Sequence, residues 1–302
     1  MAIRNFDQLL AAAKERGPKR VAIATADQKE ILIAAVKAYE ESLARCTLIG
    51  DEDAIRRLAA EESLSLEDME IIHEPNLRQA AKRAVELVNS GQADLIMNGR
   101  AQAGNLFRAA LDRETGIRTG RLLTDVAVFE IPGVDRLIFI SDAGVVVSPT
   151  FEQKVEIVQN AIDVAHLLGV ENPKVAILSA TEMVNPKIPV SLDASNLSKM
   201  AERGQIKRGI VDGPLALDNA ISLEAARIKG IHSEVAGRAD ILIAPDIEAG
   251  NILTSSLIYL ARAQMASVVV GGRCPLIVPA SADPPRSKLV SLALGVFLVG
   301  KI

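Results

Sequence analysis

Short β-branched runs alternate with longer segments of helical period along most of the chain, and this alternation constrains the fold more than any other feature. Parallel strands need a crossover connection long enough for a helix, so the pattern puts the chain in the α/β class. In the first half it predicts strands over 20–25, 47–49, 69–73, 95–98, 125–129 and 137–140, with helices over 29–39, 54–60, 78–89 and 103–112. In the second half, strands are predicted over 175–178, 209–211, 241–243, 268–270 and 276–278. Each half carries enough strands for its own sheet, and 302 residues at about 150 per domain agree with two domains. The join is predicted near Ser141-Asp142-Ala143-Gly144, before a long helix over 150–168 whose start, Thr150 with Gln153, is a capping box, and Gly169 is its expected C-cap. The apolar stretch 289–300 is about a dozen residues, where a membrane span needs about 20, and is predicted as a buried helix.

Charge and cysteine content narrow the function classes. Basic residues number 34 against 38 acidic ones, a net charge of -4, so no cationic field for a nucleic-acid backbone is expected. Cys46 and Cys274 lie far apart with no CxxC pair, which supports neither a disulfide framework nor a zinc cluster and suggests a reducing compartment. The opening segment is interrupted by charge and lacks the apolar core of an export signal, so neither export nor membrane insertion is expected.

Several chemistries lack local support, because GxGxxG, GxxxxGK[ST], HExxH and GxSxG are all absent. His73, His166 and His232 form no pair at ligand spacing, so no metal site is expected, and His166 reads as a helix-face or core residue. Open α/β sheets bind ligands beyond the carboxyl ends of their strands, which singles out three stretches. These are Asp212 to Asp218, Pro245 to Asn251 and Gly271-Gly272-Arg273-Cys274-Pro275. The first reads either as an anion seat at a helix start or as a plain strand-to-helix turn. Asp246 and Glu248 read either as ligand-binding acids or as helix-start caps.

A set of motifs then converges. Asn172 to Ser179, Val184-Asn185-Pro186-Lys187-Ile188-Pro189, Asp212 to Asn219, and Pro245 to Asn251 followed by Val269-Val270-Gly271-Gly272 together resemble the phosphate acetyl/butyryltransferase family. Their order and spacing are nearest the phosphate butyryltransferase branch. Arg118-Thr119-Gly120, Val126 to Glu130 and Pro149 to Lys154 extend the likeness over about the whole chain. The resemblance implies a two-domain, isocitrate/isopropylmalate dehydrogenase-like α/β fold with an inter-domain cleft. It implies a first domain over 1–142 with 284–302, and a second over 143–283 that forms a homodimer. The implied reaction converts acyl-CoA and inorganic phosphate to acyl phosphate and CoA by direct transfer, in the cytoplasm. A short, butyryl-like acyl group is expected, with no cofactor beyond CoA as substrate.

Residue by residue, the resemblance matches the family's anion-binding arginine to Arg108, with an exposed helix-face role as the alternative. Asn98-Gly99-Arg100 stands where the branch carries Lys-Gly, so Arg100 is a substitute cation, and Arg118 and Thr119 match a further stretch near the site. The chief departure is the last loop, where the family has Thr-Ser-Arg-Ala-Asp and this chain has Pro279-Ala280-Ser281-Ala282-Asp283. The family serine falls on Ala280 and its arginine on Ser281. Ser281 is the candidate to take over the serine role, and Arg273, Arg286 and Lys288 are nearby sources of positive charge. Asp283 before Pro284-Pro285 is expected to be an N-cap with proline at N1. The altered loop leaves a second reading, a catalytically impaired protein that still binds CoA or acyl phosphate. A third, an oxidoreductase on the shared fold, lacks the aspartate cluster such an enzyme needs.

Overall fold

The computed structural model describes residues 2–302. In chain order the elements are α1 (Phe6–Lys14), β1 (Lys19–Ala24), α2 (Lys29–Glu40), β2 (Ala44–Gly50), α3 (Glu52–Glu61), β3 (Glu70–His73), α4 (Leu77–Asn89), β4 (Leu95–Asn98) and α5 (Ala103–Ala110). There follow β5 (Thr124–Glu130), β6 (Ile138–Ser141), α6 (Phe151–Leu167), β7 (Lys174–Leu178), α7 (Pro189–Glu202), β8 (Ile210–Leu215), α8 (Leu217–Ile221), α9 (Leu223–Ile228), β9 (Ile241–Ile243) and α10 (Ile247–Tyr259). The chain closes with β10 (Gln264–Val270), β11 (Leu276–Ile277) and α11 (Pro285–Leu298).

The chain forms two compact units. The first comprises Phe6–Arg121 and Met265–Ile302. Its strands run in the order β3-β2-β1-β4-β11-β10, parallel except for β10. The middle strands β1 and β4 are buried from Val21 to Ala24 and from Leu95 to Asn98, as expected of parallel strands covered on both faces. Helix α11 is buried at every residue from Lys288 to Leu298, which agrees with the apolar run seen in the sequence. Gly295 allows its close approach, since an added Cβ would lie 2.7 Å from Leu95 Cδ1 and 2.8 Å from Ile277 Cδ1.

The second unit comprises the residues up to Asn5 and Leu122–Gln264. Its strand order is β5-β6-β9-β7-β8, with β5 and β6 antiparallel and the others parallel. Helix α6 begins with the predicted capping box, Thr150 accepting from the Gln153 amide and Gln153 from the Thr150 amide, and Gly169 follows its end at φ +90°.

The expected joins at 142/143 and 283/284 fall inside these units rather than between them. Pairing explains the difference. Strand β5 pairs with β6 through Val128 and Phe139, so both belong to the second unit's sheet, while β11 pairs with β4 and belongs to the first. In the stretch Asp212 to Asp218, the plain strand-to-helix turn falls at Ala216, between β8 and α8. Asp212-Gly213-Pro214 lies within β8, with a register shift opposite Ala176 to Leu178, so the strand runs further than the predicted 209–211.

Candidate active site

The strand order of the first unit contains a switch point. Strand β1 connects through α2 to β2 on one side, while β4 lies on its other side, so the carboxyl ends of β1 and β4 part there. That parting is where open α/β sheets hold ligands. The ends are joined by short backbone contacts: the Gly99 amide donates to Ala24 O at 2.7 Å, the Arg100 amide to Thr25 O at 3.0 Å, and the Ala101 amide to Thr25 Oγ1 at 3.1 Å. Position 99 requires glycine, because a Cβ there would lie 2.0 Å from Thr25 O. Thr25 itself has φ +56°, a left-handed conformation that costs a β-branched residue on the order of 1–2 kcal/mol.

Three side chains line this edge. Arg100 Nε donates to Asp27 Oδ2, and the Asp27 side chain is only 6% exposed. Its Oδ1 is buried without a partner among the described residues, as is Gln28 Oε1. Gln28 Nε2 donates to Ser281 O at 3.2 Å, which brings the loop after β11 to the same edge. Inside that loop the Asp283 amide donates to Ala280 O at 3.0 Å, and the Ala280 amide donates to Asp283 Oδ2 at 2.8 Å. Asp283 therefore closes the loop and does not cap α11, whose N-cap is Pro284. Burial raises the Asp283 carboxyl, partly offset by the Ala280 amide and by Lys288.

Ser281 is exposed at this loop, and Arg100 is exposed beyond its carboxylate partner. Arg108 sits exposed in the last turn of α5 and makes no ion pair or side-chain hydrogen bond among the described residues. A second group gathers around residues 271–273. Arg118 pairs by its backbone with Gly272, Thr119 Oγ1 donates to Gly271 O, and the Arg273 amide donates to Ile117 O at 2.9 Å. The Arg273 head is occupied by Asn89 Oδ1 at 2.7 Å and Gly116 O at 2.6 Å, so it clamps two loops. Arg286 pairs with Asp7 at 3.0 Å. Lys288 is fully buried and cannot reach a ligand as a free cation. In the second unit, Asp246 caps α10 by accepting the Ala249 amide at 2.9 Å, and Glu248 is exposed in the first turn, so the capping alternative describes Asp246. Asp27, Gln28 and the part played by Lys288 are absent from the sequence reading. The signal for the first two was their place just beyond the apolar run of β1.

Burial pushes the thiols of both Cys46 and Cys274 up to about 12, so neither is a thiolate nucleophile near neutral pH. No cluster of three or more His, Cys, Asp or Glu among the described residues is placed to hold a metal. No helix among them is long and apolar enough to cross a membrane.

A glycine-dependent switch point lined by Arg100 and a polar loop is the kind of place where open α/β sheets seat ligands. Comparison with known proteins gives the class. The family described as Phosphate acetyl/butaryl transferase matches residues 68–282. The phosphate butyryltransferase of Clostridium acetobutylicum is 42% identical over 298 residues, covering 99% of both chains. The phosphate acetyltransferase of Thermotoga maritima is 44% identical over 289 residues, covering 96% of this chain and 98% of its own. Among solved structures, a branched-chain phosphotransacylase from Enterococcus faecalis superposes with a TM-score of 0.82 at 31% identity, over 93% of this chain and 99% of its own. The chain belongs to the phosphate acetyl/butyryltransferase family. It is an acyltransferase of the phosphate-dependent type, on the isocitrate/isopropylmalate dehydrogenase-like fold.

Proposed function

We propose that this enzyme interconverts a short-chain acyl-CoA and inorganic phosphate with the acyl phosphate and CoA, preferring a butyryl-like acyl group. The convergence of Arg100 and the Ser281 loop at the β1/β4 switch point, through the Gln28 to Ser281 contact at 3.2 Å, carries the reading. A phosphate oxygen forms a bond to the thioester carbonyl carbon, the C–S bond breaks, and the phosphate proton passes to the departing thiolate. Acyl phosphate and the free thiol result. Arg108 supplies a cation for phosphate, and Ser281 acts at the reacting carbonyl. Arg100, Arg118 and Thr119 contribute to substrate binding. Two buried thiols favour direct transfer over an acyl-cysteine route, and both being unbridged suits a cytoplasmic setting.

We assign the assembly as a homodimer formed by the second unit. Helix α10 carries Ile247, Ile252, Leu253, Leu257, Ile258 and Tyr259, yet only Gly250 and Thr254 are buried in it, while Ile252 is 66% and Tyr259 70% exposed. An exposed apolar surface of this kind is suited to a covering partner.

Thiol release with acetyl-, butyryl- and branched acyl-CoA, together with hydroxamate trapping of acyl phosphate, tests the reaction. Butyryl-CoA is expected to give the highest kcat/KM, and absence of turnover with all three overturns the proposal. Ala280 and Ser281 at the family Ser-Arg positions favour the second reading, binding without transfer. Calorimetric CoA binding in a protein without turnover would establish it.

A further inference from the structure

Lys288 lies in the first full turn of α11, and its side chain is entirely buried. Its Nζ donates to Asp283 O at 2.6 Å, to Ala280 O at 3.0 Å and to Ser281 O at 3.4 Å. Three acceptors match the three protons of an ammonium, whereas a neutral amine has two to give. Burial lowers the lysine pKa, and Asp283 and Glu30 raise it again.

The consequence appears on the other side of each peptide. The bonds joining Ala280 to Ser281 and Ser281 to Ala282 are trans, so each amide N–H points opposite to the carbonyl of its own peptide unit. The carbonyls of Ala280 and Ser281 face the lysine, so the amides of Ser281 and Ala282 face away from it. Neither amide has a partner among the described residues, and both residues are exposed. A cation drawing on the carbonyl end polarises the peptide and strengthens its N–H as a donor.

We propose that the backbone amides of Ser281 and Ala282 form an anion seat for a tetrahedral oxyanion, either a phosphate oxygen or the oxygen of the collapsing carbonyl, with Lys288 as its positioning residue. The proposal rests on the acyl-transfer reading and specifies that Ser281 acts through its amide. It also supplies what the family arginine would give at this position, by backbone donors in place of a side chain.

Replacing lysine with an apolar side chain of similar length, Lys288→Met, removes the ammonium. With phosphate as the seated anion, KM for phosphate rises tenfold or more at unchanged kcat. With the carbonyl oxygen seated, kcat falls tenfold or more at unchanged phosphate KM. In both cases the Kd for CoA by calorimetry stays within twofold, which a general loss of structure would not spare. Phosphate KM and kcat both within twofold of the parent overturn the proposal. Should Lys288→Met not fold, the wild-type enzyme labelled with 15N-serine and 15N-alanine, titrated with inorganic phosphate and then with CoA and acyl phosphate, decides. Downfield movement of both amides in either titration is expected, and no movement in both titrations overturns the seat. Amide shifts without turnover would leave the seat standing and remove the transfer reading, whereas turnover without shifts would do the reverse.

Discussion

At the residue scale, the switch point depends on two positions that carry different risks. Gly99→Ala would put a methyl 2.0 Å from Thr25 O, a backbone atom that cannot rotate aside. The substitution is expected to destabilise the protein by at least about 2 kcal/mol, measurable as a lower denaturation midpoint at unchanged m-value. Arg108 contrasts with it, being exposed and unpaired among the described residues. Arg108→Ala should leave stability within about 0.5 kcal/mol and lower kcat/KM for phosphate by about 10- to 100-fold. Unchanged kinetics would return Arg108 to the helix-face role. Both positions are legible in the sequence as residues of interest, but only the tertiary contacts separate them. Arg273 and Asp246 stood beside Arg108 as candidates, yet the first clamps Asn89 and Gly116 and the second caps a helix. Composition and spacing do not distinguish a free guanidinium from an occupied one.

At the element scale, the strands and long helices follow closely from period and capping, because each stabilising pattern is local. Helix α6 matches its predicted span through the Thr150 box. Strand β8 does not, because pairing with β7 carries Gly213-Pro214 into the ladder. The ends of β5 and β6 also hold a feature no local pattern announces, the buried acids Asp125 and Asp142. Asp142 Oδ2 accepts the Asp125 amide at 2.9 Å, and Asp142 Oδ1 accepts the amides of Gly144 and Val145 at 2.8 Å. Burial and the neighbouring charge of Asp142 hold the Asp125 carboxyl well above the usual carboxylate range, and burial raises Asp142 as well. Because the folded pKa of Asp125 exceeds the unfolded one, the stability it allows is complete below about pH 4 and declines as pH rises through the folded value. Asp125→Asn, which mimics the protonated acid, should raise Tm at pH 7.5 and flatten the fall in Tm between pH 5 and pH 7.5. An equal or lower Tm at pH 7.5 would contradict the account.

At the scale of the whole molecule, the exposed apolar residues of the second unit call for a covering surface. Ile228 is 78%, Ile252 66%, Tyr259 70% and Leu260 82% exposed. Sedimentation velocity at micromolar concentration should give a dimer, and Leu260→Asp should shift it toward monomer and make Tm depend on concentration. A wild-type monomer would remove the homodimer proposal. The acyl preference follows from pocket dimensions, where one methylene is worth about 1–3 kcal/mol, and relatives named for acetyl and for butyryl transfer are 44% and 42% identical to this chain. The sequence by itself determined the α/β class, most element positions, the buried final helix and the family, because periodicity, caps and motif order are properties of neighbouring residues. Tertiary structure alone decided where the two units exchange the chain, which arginines remain free, and that Lys288 faces three carbonyls of its own loop. Those outcomes depend on strand pairing and side-chain partners far apart in sequence, and no local pattern encodes a contact between residues such as Gln28 and Ser281.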